Sequence, residues 1–221
     1  MSAAARPLLI AVDGPAASGK GTIARAIARH FGLPHMDTGM LYRAVALSMF
    51  RFGGDPGSEF EAVRACEGVA QIDPTDKELR SEVVGSIASR ISAYPGVRAA
   101  LLDRQRHFAA QASGAVLDGR DIGTVIAPDA AVKLFVTATP EVRAQRRVRE
   151  LLERGMPAHL EDVLVDIRAR DARDSGREAA PLVMADDAVP LDTSGMEIDE
   201  AVAQAISLVE GKLAALSPAR G

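Results

Sequence analysis

The 221-residue chain has no tryptophan, a single cysteine and only 4% aromatic residues. Cys66, being alone, forms no internal disulfide, and a solitary thiol of this kind packs more often than it reacts. His30, His35, His107 and His159 are scattered and, with one cysteine, make no zinc-binding spacing. A surplus of positive charge is also missing: 26 Lys and Arg stand against 30 Asp and Glu, a net charge of −4. That balance speaks against a nucleic-acid polymer as partner but leaves room for a local basic cleft. No apolar run is long enough to span a membrane, and Met1–Pro7 is too short for a signal peptide, so a cytoplasmic protein without a membrane partner is expected. Internal repeats and low-complexity tracts are lacking as well. What the chain has is 48% hydrophobic residues, enough for one substantial core. A single domain over residues 1–221 is expected, and a monomer, since no long apolar stripe demands a partner.

Short apolar runs alternate with helical patterns. Leu8–Val12 is closed by Asp13-Gly14-Pro15 and reads as a buried strand. Ile23, Ala26, Ile27 and Phe31 then share a helical face, with Gly32 placed for a left-handed cap. Met40–Phe52 and Val97–Gln111 read as further helices, Ala115–Asp118 and Val132–Thr137 as strands. Thr139-Pro140 supplies an N-cap and a first-turn proline for a helix to about Arg154, which Gly155-Met156-Pro157 breaks. Another helix spans Leu160–Asp174, Val189–Leu191 is a last strand, and a final helix covers Ile198–Ala214. This alternation predicts an α/β fold with a mostly parallel central sheet covered on both faces. Residues 53–96 interrupt the rhythm with Gly53-Gly54, Asp55-Pro56-Gly57 and Asp73-Pro74, and read as an inserted subdomain.

The segment between the first strand and first helix carries the strongest signal: Gly14-Pro15-Ala16-Ala17-Ser18-Gly19-Lys20-Gly21-Thr22. A glycine-rich loop there turns backbone N–H groups toward phosphate oxygens, and the helix N-terminus adds partial positive charge. Lys20 would reach the β- and γ-phosphates of ATP or GTP. The usual Ser or Thr after the lysine is replaced by Gly21, with Thr22 one position later. Direct ligation of Mg²⁺ by a loop hydroxyl is therefore not expected, and phosphates and water would hold most of the ion.

The arginines suit a reaction between two anions. Arg170, Arg173 and Arg177 recur at helical spacing, and Arg143 and Arg147 are i, i+4 neighbours beside Arg146. A solvated face laced with ion pairs to Glu150, Glu153, Asp171 and Asp174 explains the same pattern. A phosphate acceptor is largely ionised at neutral pH, with a second pKa of about 6, so no general base is demanded. Positive charge and positioning would carry the catalysis instead.

The string Asp13–Thr22 resembles bacterial cytidylate kinases, within the nucleoside monophosphate kinases of the P-loop class. Asp37-Thr38-Gly39-Met40-Leu41-Tyr42-Arg43, Asp118-Gly119-Arg120-Asp121-Ile122-Gly123-Thr124, Arg170-Asp171-Ala172-Arg173-Asp174, and Arg177 before Pro181-Leu182 agree with that family, over about Leu8 to Ala214. The resemblance implies a three-layer α/β/α kinase that phosphorylates CMP, and also dCMP, with MgATP. It implies an insertion at 53–96 that binds the monophosphate, and a lid with flanking helices at 143–177. It assigns ATP to Gly14–Thr22 and CMP to Thr38, Arg43, Arg98, Arg120, Asp121, Arg170, Asp174 and Arg177. Arg120 and Asp121 would approach the cytosine edge, and Asp174 the sugar hydroxyls. Lys20, Arg146, Arg147 and Arg170 would serve catalysis, with Arg143, Arg146 and Arg147 on the lid closing over ATP. Residues 67–96 are short beside longer family members.

Plainer readings stand next to these. Thr38 would serve as a helix cap, Asp118 as a turn cap, and Tyr42 or Tyr94 as core. Another small P-loop kinase, acting on AMP or on a hydroxyl with Asp37 or Asp121 as base, fits the loop equally. So does a nucleotide-dependent switch, although a switch needs no second phosphate site.

Overall fold

The computed structural model describes residues 7–216; of the short stretch Met1–Pro7, all but Pro7 lies outside them. Five parallel strands, β1 (Leu9–Asp13), β2 (His35–Asp37), β3 (Ala115–Gly119), β4 (Val132–Thr137) and β5 (Val189–Asp192), form one sheet in the order β2-β3-β1-β4-β5. Alternation along the strands feeds two cores. Ile10, Val12 and Val116 face helices α1 (Lys20–Phe31) and α8 (Ile198–Leu216), where Ile23, Ile27, Ala205 and Val209 meet them. Ala11, Ala115 and Leu117 face the other way, toward Ala109 of helix α5 (Pro95–Ala109). The result is the three-layer α/β/α arrangement. Ile27 is fully buried, and its side chain alone contributes about 1.5–3 kcal/mol.

The helix ends follow local chemistry. Gly32 adopts φ 65° and closes α1, and Thr139 Oγ1 accepts from the Val142 N–H ahead of α6 (Pro140–Glu153). Outside residues 53–96, two elements have no counterpart in the sequence reading. β2 is three residues long, and a single π-type turn spans Ile122–Ile126. That turn forms because the buried Asp13 carboxylate accepts from the N–H groups of Ile122 (2.8 Å) and Gly123 (2.7 Å).

Residues 53–96 hold helices α3 (Glu59–Ala65) and α4 (Glu82–Ile91) and two 3₁₀ turns, Cys66–Gln71 and Lys77–Arg80. Helices α2 (Thr38–Phe52), α4 and α5 bury Leu47, Leu79, Ile91 and Leu101 in a third cluster. Cys66 packs against it, donates to the Ala62 carbonyl at 3.4 Å, and burial pushes its thiol up to about 11, a packing group and no nucleophile. Helix α7 (Leu160–Ser175) ends before Arg177, so that arginine leaves the helical face shared by Arg170 and Arg173.

Candidate active site

The carboxyl ends of β1, β2 and β3 open into a cavity of about 810 Å³ bounded by α1, α2, α4, α6 and α7. Ligands of open α/β sheets collect at this edge. The loop before α1 forms its floor. Gly14 has no substitute, because a Cβ there would lie 1.9 Å from the Val136 carbonyl oxygen. Ala17 (φ 59°) and Gly19 (φ 86°) take left-handed conformations, and α1 starts with no side chain capping its N–H groups. Successive turns of this kind make an anion-binding nest. Lys20 Nζ donates to the Pro15 carbonyl at 3.3 Å. Burial and nearby Arg120 lower its pKa to about 7, against the pull of Asp118 and Asp37.

Arginines crowd the same cavity. Arg43, Arg98, Arg120, Arg147, Arg170, Arg173 and Arg177 all line the cavity. Asp174 binds two of them, Arg120 Nε at 2.7 Å and the Arg177 guanidinium. Burial pushes its carboxyl upward, yet Arg120, Arg177 and Arg170 outweigh this and hold it at about 2. Arg98 pairs with Asp121, donates to the Ser92 carbonyl at 3.1 Å, and lies 5.8 Å from the Tyr42 ring centre. Among the described residues, Arg170 Nε has no hydrogen-bond partner although it is sealed from solvent. Burial, and Arg120 beside it, lower the Arg170 pKa to about 10. Unpaired cationic donors next to Lys20 are matched by a multiply charged anion.

Of the residues singled out in the sequence, Ala16, Ala17, Gly19, Lys20, Gly21, Thr22, Thr38, Asp121 and Asp174 also line this cavity. Gly14, Pro15, Ser18, Arg143 and Arg146 do not. Arg143 is buried and forks onto Asp171 (2.9 and 2.5 Å), with further bonds to the carbonyls of Ala138 (2.8 Å) and Ala16 (3.3 Å). It fastens α6 and α7 to the phosphate loop. Arg146 reaches the Thr193 hydroxyl at 2.9 Å and its carbonyl at 2.6 Å, while that hydroxyl donates to the Ser18 carbonyl at 3.1 Å. Arg149 and Arg168, which fall on no motif, are exposed.

Thr38 is not the cap of α2. Asp37 occupies that position, and Thr38 Oγ1 donates to the Asp118 carbonyl at 2.9 Å. Asp118 is no turn cap either, for its Oδ1 meets His35 Nε2 at 2.7 Å. Tyr42 lines the cavity and is also core, and Tyr94 donates to the Pro56 carbonyl at 2.9 Å. Asp37 and Asp118 share the cavity wall. Burial, with Asp118 next, raises the Asp37 carboxyl above the usual range. The sequence reading offered Asp37 only as the base of a hydroxyl kinase and missed Asp118 as a wall residue, although it lies in a quoted stretch. It also missed Gly85, where a Cβ would meet Arg43 Nη2 at 2.6 Å.

Residues 10–211 match the family described as Cytidylate kinase. A protein of Xanthobacter autotrophicus named Cytidylate kinase is 58% identical over 94% of this chain and 99% of its own. One from Azorhizobium caulinodans with the same name is 57% identical over 92% of this chain and 98% of its own. A solved structure of an uncharacterized protein from Eubacterium ventriosum shares the fold, with a TM-score of 0.54, 12% identity, and cover of 92% of this chain and 98% of that one. On the family match and on relatives alike along nearly its whole length, this chain belongs to the cytidylate kinase family.

Proposed function

We propose that the protein transfers the γ-phosphoryl group of ATP directly to CMP, and also to dCMP, giving ADP and the cytidine diphosphate. The observation that carries this reading is the meeting of two cationic groups around one cavity. Lys20 and the loop residues Ala16, Ala17 and Gly19–Thr22 line it together with Arg43, Arg120, Arg170 and Arg177. A single-nucleotide switch has no use for the second set.

ATP lies on the loop, with its β- and γ-phosphates at Lys20 and the N-terminus of α1. CMP lies against α2, α4 and β3, its phosphate held by Arg43, Arg170 and Arg177, its base by Arg98, Arg120 and Asp121 with Thr38, and its sugar by Asp174. The existing Arg98–Asp121 pair supports this assignment, because it presents a planar donor and an acceptor side by side. The acceptor oxygen attacks in line, and the charge spread over the transferring group is neutralised by Lys20, Arg147 and Arg170. Arg146 acts from behind, through the Thr193 contact with Ser18. Residues 53–96 form the acceptor-binding insertion, and 143–177 the lid and its flanks, which exclude water that would otherwise hydrolyse ATP.

Asp37 and Asp118 suit Mg²⁺. They bring two carboxylates to the loop, and Asp118 Oδ2 lies 3.7 Å from the position a Gly21 Cβ would take. Two carboxylates leave most of the coordination of an ion that dehydrates reluctantly to phosphates and water. Bound there, Mg²⁺ supplies Lewis-acid charge neutralisation of the polyphosphate. A cytoplasmic monomer is part of this proposal. Separately, no helix among the described residues is long and apolar enough to cross a membrane.

ADP release from MgATP, followed side by side with CMP, dCMP, UMP, AMP and no acceptor, tests the reading. Turnover is expected with CMP and dCMP, and Arg170→Met should lower it on the order of 10³–10⁵-fold. Turnover confined to AMP, or equal with and without acceptor, would leave the loop's role standing and refute the acceptor assignment.

A further inference from the structure

The short segment Leu79–Glu82 gathers cationic side chains from both halves of the cavity. Arg43 Nη1, from α2, donates to the carbonyls of Leu79 (2.7 Å) and Ser81 (3.2 Å). Arg154, at the end of α6, reaches the Arg80 carbonyl at 3.3 Å. Arg147, also on α6, forms an ion pair with Glu82 and another, at 2.5 Å, with Glu150 on its own helix. Glu82 opens α4 directly behind its Ser81 cap and lines the cavity together with Arg43 and Arg147. Burial lowers the Arg43 pKa, the charge of Arg147 lowers it further, and Glu82 opposes both. Glu82 thus supplies negative charge where two arginines repel each other.

We propose that Glu82 is a built-in stand-in for a substrate phosphate: it holds Arg147 over the cavity when no nucleotide is bound, and yields that arginine when phosphate oxygens arrive. The inference rests on the nucleotide-binding reading above. Asp174 pairs with arginines too, but it is buried and stays in place, whereas the Glu82 side chain is 47% exposed and loses little by turning to water. A phosphate brings about −1.5 to −2 charges and three acceptor oxygens, so it outcompetes one carboxylate for the same guanidinium. The α4 N-terminus still favours a carboxylate in its first turn after the exchange. Because the pair bridges α4 to α6, its release frees the two sides of the cavity to settle around the ligand.

The test is equilibrium titration of wild type and Glu82→Gln with inorganic tripolyphosphate, MgATP and CMP, each alone. Removing the competing carboxylate should tighten tripolyphosphate roughly two- to fivefold, with the gain shrinking at about 0.5 M salt. Glu210→Gln makes the same charge change at an exposed carboxylate of α8 that pairs with His30 of α1 and does not line the cavity, and should leave binding unchanged. Tripolyphosphate binding that is equal or weaker in Glu82→Gln, or equally tightened in Glu210→Gln, would overturn the inference. Tripolyphosphate tightened in Glu82→Gln, with CMP bound by neither protein, would instead refute the acceptor reading and leave Glu82 in its role. Unchanged melting temperatures verify that each variant is folded.

Discussion

The depressed pKa of Lys20 predicts that ATP binding is a proton-linked event. Burial and Arg120 lower the Lys20 pKa to about 7, so at pH 8 roughly nine in ten copies are expected to carry a neutral amine before nucleotide binds. Arrival of a polyphosphate places opposite charge beside the amine and restores its proton affinity. MgATP binding should therefore take up about 0.9 proton at pH 8, about 0.5 at pH 7 and about 0.1 at pH 6. The sign follows from the depressed pKa: the protonated form binds, so affinity is greatest below pH 7 and falls about eightfold per unit near pH 8. Phosphate ionisation adds little there, since its second pKa is about 6. Calorimetric titration at pH 8, without acceptor, in buffers of different ionisation enthalpy reads the uptake directly. Lys20→Met should abolish it. Saturable MgATP binding by the wild type with no proton exchange at pH 8 would refute the reasoning.

Two further outcomes follow from the site's geometry. Gly85→Ala places a Cβ 2.6 Å from Arg43 Nη2 and forces that arginine from the Leu79 and Ser81 carbonyls. Helix propensity gains up to ~1 kcal/mol, so the melting temperature should hold while KM for CMP rises roughly tenfold and KM for MgATP does not; a parallel rise in both would contradict the placement. Asp174, held at about 2, contributes ~2 kcal/mol that is fully present above its unfolded pKa near 4 and is lost as pH falls toward 2. The stability gap between wild type and Asp174→Asn, read by denaturant unfolding, should be flat from pH 7 to 5 and shrink below pH 4. A gap that grows on acidification would exclude this linkage.

How much of this was legible depended on whether a signal was local. β1 stands out because its continuous apolar run suits a strand buried on both faces, β4 because only Lys133 interrupts its apolar run, and Gly32 and Thr139-Pro140 mark helix ends with their own backbone chemistry. β2 does not stand out: His35-Met36-Asp37 is half-buried, and its register comes from pairing with β3. The turn at Ile122–Ile126 depends on Asp13, far away in the chain, and no window of residues reveals it. In the insertion the signals were present and unread. Ser58 caps α3 by accepting from Glu61 N–H, Glu61 in turn accepts from Asp55 N–H, and Ser81 caps α4.

The site divides in the same way. The motif glycines, Arg43 and Arg120 converge because their motifs follow strand ends, while Arg170, Arg173 and Arg177 join them from the C-terminal part of α7 and just beyond it. On α6, spacing groups Arg143, Arg146 and Arg147 but does not say which direction faces the cavity. Tertiary packing decides it: Arg143 is drawn to Asp171 and Arg146 to Thr193, which leaves Arg147 on the wall.

The most direct measurement of the central claim is label transfer. Incubation of ATP labelled in its γ-phosphoryl group with Mg²⁺ and CMP should place the label in CDP, in step with ADP formed and with little free phosphate. Label released as inorganic phosphate at the same rate with or without CMP, and none in CDP, would contradict it.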